Sequence, residues 1–534
     1  MKVRDHLKLA TFLCYFSGSL LAAPVLKASE PEIAQTNRLS DIKSVSDADL
    51  EEKLKTVMDD GVPDYCNVIG PIIAEMIERG SFSGVIKLQK SHADFQCAIT
   101  ERRWADAYQK MLVVEELVGR SMGSFGFTIA QIADQNMAAV ARLERIASDP
   151  DNKEFLALDM NSVFAVSSSL SRNKQVKANK RMWMAMYESE SFNQLGAGLK
   201  SDVAAILLEI DADRGQFQKA SEYVGLLANI HIFPDMLAER KYERIWSVLE
   251  QAAGTNMSIM ANKAVVEASD RYMANKEDRQ AFQQAVHSLH FAGKFEEAVK
   301  LAQTFDHSPD NILKMTEDDA WALNVEAYSL DSMGQTADAE RVFDLIASIP
   351  YRPQENGWLV NFVINRASRL VETGNWQKGY DAALIAENVT EKSGSPFAKM
   401  LVGQAKACAL IKLGRMKEAA PIVDALFEKR KDAYSAAASA MLCADDENRA
   451  AAVVIDALKD KDGDGQVVRD IQKREFQMFY TRSALPRLRD RLRNRPDVSA
   501  AFNKVARDIP DNMMPLAGTR REQLKRPIAN LDVI

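Results

Sequence analysis

The densest run of metal-type donors in the chain is Asp460-Lys461-Asp462-Gly463-Asp464-Gly465-Gln466. Carboxylates at alternate positions, a glycine for the sharp turn and an amide oxygen beyond it are the donors of a calcium-binding loop. Asp460, Asp462, Asp464 and Gln466 are therefore the candidate metal ligands; no cofactor is expected, and calcium is the alternative. Such a loop closes on a bidentate carboxylate at its twelfth position. Ile471 stands there, Val468 holds the ninth position, and Asp470 falls one residue short. The competing reading is an acidic turn between two helices. The histidines His92, His231, His287, His290 and His307 are scattered. His287 and His290 could share a helical face, but no carboxylate completes a zinc set in that segment.

Two further groups of side chains suit recognition of a partner. Arg487, Arg491 and Arg495 are spaced to line one helical face, which fits binding to an acidic surface. They belong to a basic tail: residues 471–534 hold 14 Lys or Arg against 7 Asp or Glu, while the whole chain has a formal charge of −7. The tail has little aromatic interleaving, so it lacks the pattern of a base-reading module, and no nucleic-acid partner is expected. A helical cap packed on an acidic body is the competing explanation of the asymmetry. Trp321 and Trp358 open helices and could face a groove or pack on a preceding unit, whereas Trp376 sits at a core-filling position.

Motifs for nucleophilic catalysis, phosphate cradling, dinucleotide binding and zinc hydrolysis are missing, so no catalytic residue is assigned. The enzyme alternative is a peptidoglycan-processing enzyme or its accessory module, because helical-repeat bodies also carry some periplasmic cell-wall lyases. Such a lyase needs a compact glutamate-bearing domain, for which the segment after residue 471 is short.

The elements that would position these groups recur along the chain. Gly215, Gly254, Gly293, Gly334, Gly374 and Gly414 follow one another at intervals of 39 to 41 residues. Several precede an apolar residue two positions on and a small residue five positions on, as in Gly293-Phe295-Ala298 and Gly374-Trp376-Gly379. A glycine there accepts positive φ and lets the chain reverse between helices, and the small residue lets the pair approach closely. In residues 323–350, Ala327, Leu330, Gly334, Ala339, Phe343 and Ala347 resemble the tetratricopeptide repeat, although the period near 40 is longer than that family's and most of its first-helix aromatic and Leu-Gly positions are missing. The resemblance implies an all-α fold, a right-handed superhelical array of antiparallel helix pairs that binds other proteins along its surface. Arg102 stands in place of a turn glycine in an earlier hairpin, and Asp446 holds the turn position of a last pair.

The N-terminus reads as an export signal. Lys2, Arg4 and Lys8 precede an apolar run from Leu9 to Phe16 and small residues up to Ala28. The expected organisation is a signal peptide over 1–28, a flexible leader over 29–49 and a helical region over 50–200. Repeats over 201–458 and an acidic turn with a basic cap or tail over 459–534 complete it. Periplasmic location follows, with no second membrane span. Cys66, Cys97, Cys408 and Cys443 permit three pairings; the local pairs Cys66–Cys97 and Cys408–Cys443 would each clamp neighbouring helices in an oxidising compartment. Buried free thiols are the alternative for the latter two. The composition, 47% apolar and 27% charged with only 7% aromatic, fits an ordered helical body. The functional expectation is a periplasmic scaffold that binds another envelope protein, as part of or accessory to a motility or secretion assembly.

Overall fold

The computed structural model describes residues 42–50, 52–53, 66, 70–80, 84–149, 153–230, 232–460, 465–474 and 483–525. The signal peptide and most of the leader expected over 1–49 lie outside these residues. The described residues are all-α, with one isolated antiparallel bridge between Glu239 and Ala506 as the only β-type pairing among them. None of their helices is long and apolar enough to cross a membrane. They fall into two compact units, one ending at Gly196 and the other starting at Ala197.

One backbone device makes most of the helix pairs. A helix ends, one residue takes positive φ, and the next residue's N–H reaches back to the carbonyl five positions earlier. Nine described turns are built this way, with N···O distances of 2.8–3.0 Å. Their positive-φ residues are Arg102, Asp134, Lys174, Gly215, Gly293, Gly334, Gly374, Gly414 and Asp445. The hydrogen bond satisfies a carbonyl that the helix end would leave unpaired, and it fixes the direction of the returning helix. Five of these residues are glycines that the sequence singles out. The sixth, Gly254, differs: its φ is +69° but its ψ is 172°, and Asn256 and Met257 then take the left-handed conformation. In the last pair Asp445 is the left-handed residue, and Asp446 instead caps the Glu447–Lys459 helix by accepting from Arg449 N–H.

In the unit that starts at Ala197, successive hairpins from the Gly293 turn onward lie against one another, whereas the Gly215 hairpin packs on the short helices that follow it. Leu359–Glu372 lies against Trp376–Ser393 and Pro396–Lys412, and Pro396–Lys412 in turn against Met416–Glu428 and Tyr434–Cys443. The Glu317–Ser332 helix starts at a capping box between Thr316 and Asp319 and is buried on nearly every face. Trp321, Leu323 and Ala327 from it join Phe343, Phe362, Leu370 and Ala383 in the main apolar cluster. Alanines dominate the contact face of Tyr434–Cys443, so its backbone can approach its neighbours closely. The Cys408–Cys443 disulfide joins that helix to Pro396–Lys412 across a Cα separation of 5.3 Å.

In the unit that ends at Gly196, three hairpins turn at Arg102, Asp134 and Lys174. A second disulfide links Cys66 to Cys97, and Arg142 holds the Glu115 carboxylate with two hydrogen bonds of 2.7 and 2.6 Å.

Two of the turn glycines separate backbone conformation from close packing. A Cβ on Gly293 would lie 3.1 Å from the Leu516 carbonyl oxygen, whereas one on Gly334 would meet nothing within 4 Å. Gly334→Ala should cost about 1–2 kcal/mol through its left-handed backbone alone. Gly293→Ala should cost roughly 1 kcal/mol more, because a backbone atom must also move. Urea unfolding of both variants measures the difference.

Candidate functional site

The structure sends most of the residues expected to meet a partner into contacts within the chain. Asp460 accepts a hydrogen bond of 2.8 Å from the Tyr434 hydroxyl. Gln466 uses both ends of its amide, donating to Asp470 and accepting from Arg469 at 2.8 Å each. Asp462 and Asp464 lie outside the described residues, as does His231. Among the described residues no group of three or more His, Cys, Asp or Glu side chains is placed to hold a metal.

Trp321 is buried, and its ring lies 4.8 Å from that of Phe362; its indole N–H points at Glu317 Oε1 at 3.4 Å. Trp358 meets the same Phe362 edge to face at 5.6 Å. Both tryptophans therefore pack on one phenylalanine, Trp321 buried and Trp358 half-buried. Trp376, expected in the core, packs partly buried against the main cluster.

Arg487, Arg491 and Arg495 do not share one helical face. Arg487 and Arg495 are the extended residues that precede two separate helices, Leu488–Leu492 and Pro496–Val505, and only Arg491 is helical. Helical spacing at this stretch is interrupted because Pro496 opens a new helix. Arg491 pairs with Glu447, and Arg495 with Asp497 and Asn448.

The basic segment instead runs along the hairpin turns of its own unit. Ala484 N–H donates to the Glu372 carbonyl beside the Gly374 turn, at 2.6 Å. Arg491 and Arg495 reach the turn at 445–448. Arg520 donates to the Gly293 carbonyl at 2.9 Å and pairs with Glu296. Arg507 makes the fullest contact: it donates from its backbone N–H to Ala238 and from Nε to Leu237, both at 2.8 Å. Its guanidinium pairs with Glu250 at 2.5 Å and lies 3.7 Å from the Trp246 ring centre. Arg469 donates from Nη1 to both carboxylate oxygens of Asp235, at 2.7 and 2.8 Å. Arg469, Arg507 and Arg520 thus fasten residues 224 to 270 positions apart with charge-assisted hydrogen bonds.

The remaining concentration of chemistry lies on Glu317–Ser332, which buries the Asp319, Glu326 and Asp331 carboxyls and half-buries that of Glu317, in unlike surroundings. Asp319 is held by Arg279 at 2.5 Å. Asp331 receives two hydrogen bonds from Arg369, at 2.6 and 2.7 Å, and both side chains are almost wholly buried. Burial pushes the Asp331 carboxyl up, and the guanidinium pulls it part of the way back. Glu317, at the first turn, is pushed up to about 7 by burial, which the bond from Trp321 only partly offsets. Glu326 is also pushed up to about 7 by burial. Its Oε1 accepts from Gln303 at 3.0 Å, while its Oε2 has no hydrogen-bond partner and faces His307 Nε2 at 3.7 Å. That distance is too long for a hydrogen bond. Burial likewise holds the His307 imidazole below its usual value, against the pull of Asp306. Sequence reading misses this pair because Glu326 and His307 lie on different elements with no shared motif.

Arg507→Ala should remove the strongest fastening of the C-terminal segment and cost about 2 kcal/mol. Hydrogen exchange should report faster opening of residues 496–525, with Trp246 fluorescence changing in step.

No protein-family model matches the chain, and no curated protein matches it.

Proposed function

We propose that this protein is an exported, periplasmic scaffold of tetratricopeptide-like hairpins that holds another envelope protein, as a component of or accessory to an assembly such as a motility or secretion machine. The observation that carries the reading is the recurrence of one turn geometry along the chain, with consecutive hairpins from the Gly293 turn onward packed on each other. Arrays of that kind expend their sequence on presenting a long surface. The basic, apolar and small-residue segments up to Ala28 support export, and two disulfides suit an oxidising compartment.

The surface available to the partner is that of the returning helices. Glu317–Ser332 and Tyr434–Cys443 are buried on most faces, so they offer little area. Trp376–Ser393 buries Ala382, Ala383 and Ala386 but exposes Leu384 and Ile385, the latter to 55%. Side chains of this kind at an exposed helix face suit the apolar anchors of a partner segment.

Purification from an envelope extract should bring down a protein partner in stoichiometric amount. Ile385→Glu should lower its recovery by about tenfold, as loss of a binding anchor does, while leaving the melting temperature nearly unchanged. Release of soluble muropeptides by the purified protein alone would instead make it a peptidoglycan-processing enzyme.

A further inference from the structure

The contact between buried Glu326 and half-buried His307 has no part in the scaffold reading, and its surroundings give it a different use. Gln303 and His307 follow the Phe295–Ala302 helix, and Glu326 lies mid-way along Glu317–Ser332. The two facing atoms, Oε2 and Nε2, are both buried and both without hydrogen-bond partners. The charged groups on the neighbouring elements are engaged elsewhere. Arg279 is held by Asp319 and Arg369 by Asp331, and Glu340 from the Thr336–Ala347 helix acts on that second pair. His290 Nδ1 lies 2.8 Å from Ser329 Oγ, and His287 is fully buried on the same Arg279–Phe291 helix. Asp306 turns back to Ser308 and Asn311, and acts on His307. Among the described residues the Glu326 carboxyl therefore has one amide and one imidazole for company, and no fixed cation.

We propose that Glu326 and His307 form a proton-operated joint in the helical array. While the pair holds one proton, residues 303–315 stay closed on the Glu317–Ser332 helix; when that proton leaves, a bare carboxylate is buried without a cation and the segment loosens. A buried carboxylate lacking a partner is far costlier than a buried carboxylic acid.

The two groups oppose each other in their dependence on pH. Glu326 is raised from 4.5 to about 7, so its contribution to closure is complete below 4.5 and is lost as pH rises through about 7. His307 is lowered from 6.5, so its contribution is complete above 6.5 and is lost as pH falls. Between 4.5 and 6.5 the open form holds its proton on His307, whereas the closed form holds one on Glu326 and takes up a second, on His307, less readily than the open form does. Above 6.5 the open form has released its proton and the closed form retains one until about 7, so closure weakens across neutrality.

Site-resolved hydrogen exchange of the full chain between pH 6 and pH 8, corrected for intrinsic exchange, tests this on the amides of residues 303–315. The wild-type opening constant should rise about two- to threefold across that range. His307→Ala leaves the carboxyl alone and should steepen the rise to about tenfold. Glu326→Gln keeps an acceptor for Gln303 but leaves only the imidazole to titrate, so the dependence should reverse and opening should fall several-fold. Amides of Leu359–Glu372 serve as the internal reference in each protein. If Glu326→Gln proves unfolded, wild type and His307→Ala decide the matter between them. Equal pH profiles in wild type and His307→Ala, or an unreversed profile in a folded Glu326→Gln protein, would overturn the proposal.

Discussion

The structure depends on one short-range hydrogen bond, from the residue after a left-handed position to the carbonyl five residues back. It sets where a helix ends and which way its successor leaves, and so decides which side chains two helices place between them. The same bond closes turns centred on glycine, arginine, lysine and aspartate. Left-handed backbone costs an ordinary residue about 1–2 kcal/mol relative to its preferred conformation. At Arg102, Asp134, Lys174 and Asp445 that cost must be offset by the hairpin packing that the turn permits. The turns thus depend on the core as much as the core depends on them.

That balance explains how far the sequence discloses the fold. A glycine every 39 to 41 residues is visible because glycine is the residue that left-handed backbone favours. The turns at Asp134 and Lys174 carry no such mark, which is why residues 50–200 show helical propensity without an evident repeat phase. Gly254 carries the mark but not the geometry, since its ψ of 172° belongs to a different reversal. The two local cysteine pairs are one of the three pairings that the sequence permits, and the structure selects them. The helix content could be read from residue type and spacing. Side-chain destinations could not: Trp321 looks the same in sequence whether it faces a groove or Phe362.

Charge shows the same division. The excess of Lys and Arg after residue 471 is plain from composition, and so is its complement, an acidic body. The path of the segment along the turns at Gly374, Asp445 and Gly293 is a tertiary fact, and so is the stacking of Arg507 on Trp246. The interior acids of Glu317–Ser332 go further. Asp319 and Asp331 have guanidinium partners roughly 40 residues away, in neighbouring hairpins, while Glu326 has an imidazole and an amide. Pairing buried charges between successive hairpins fixes their register, because breaking one such pair strands the other charge in a medium that solvates it poorly.

One turn hydrogen bond, repeated in both units, organises the helices whatever residue occupies the left-handed position. Residue-resolved amide exchange on the intact chain addresses it most directly, at the donors Arg103, Gln135, Gln175, Gln216, Lys294, Gln335, Asn375, Arg415 and Asp446. These nine amides should exchange slowly, alongside the helix interiors that they join, at the non-glycine turns as at the glycine ones. Exchange of these amides at the rate of open, solvent-exposed loops would show that the turn bonds do not hold the helices together.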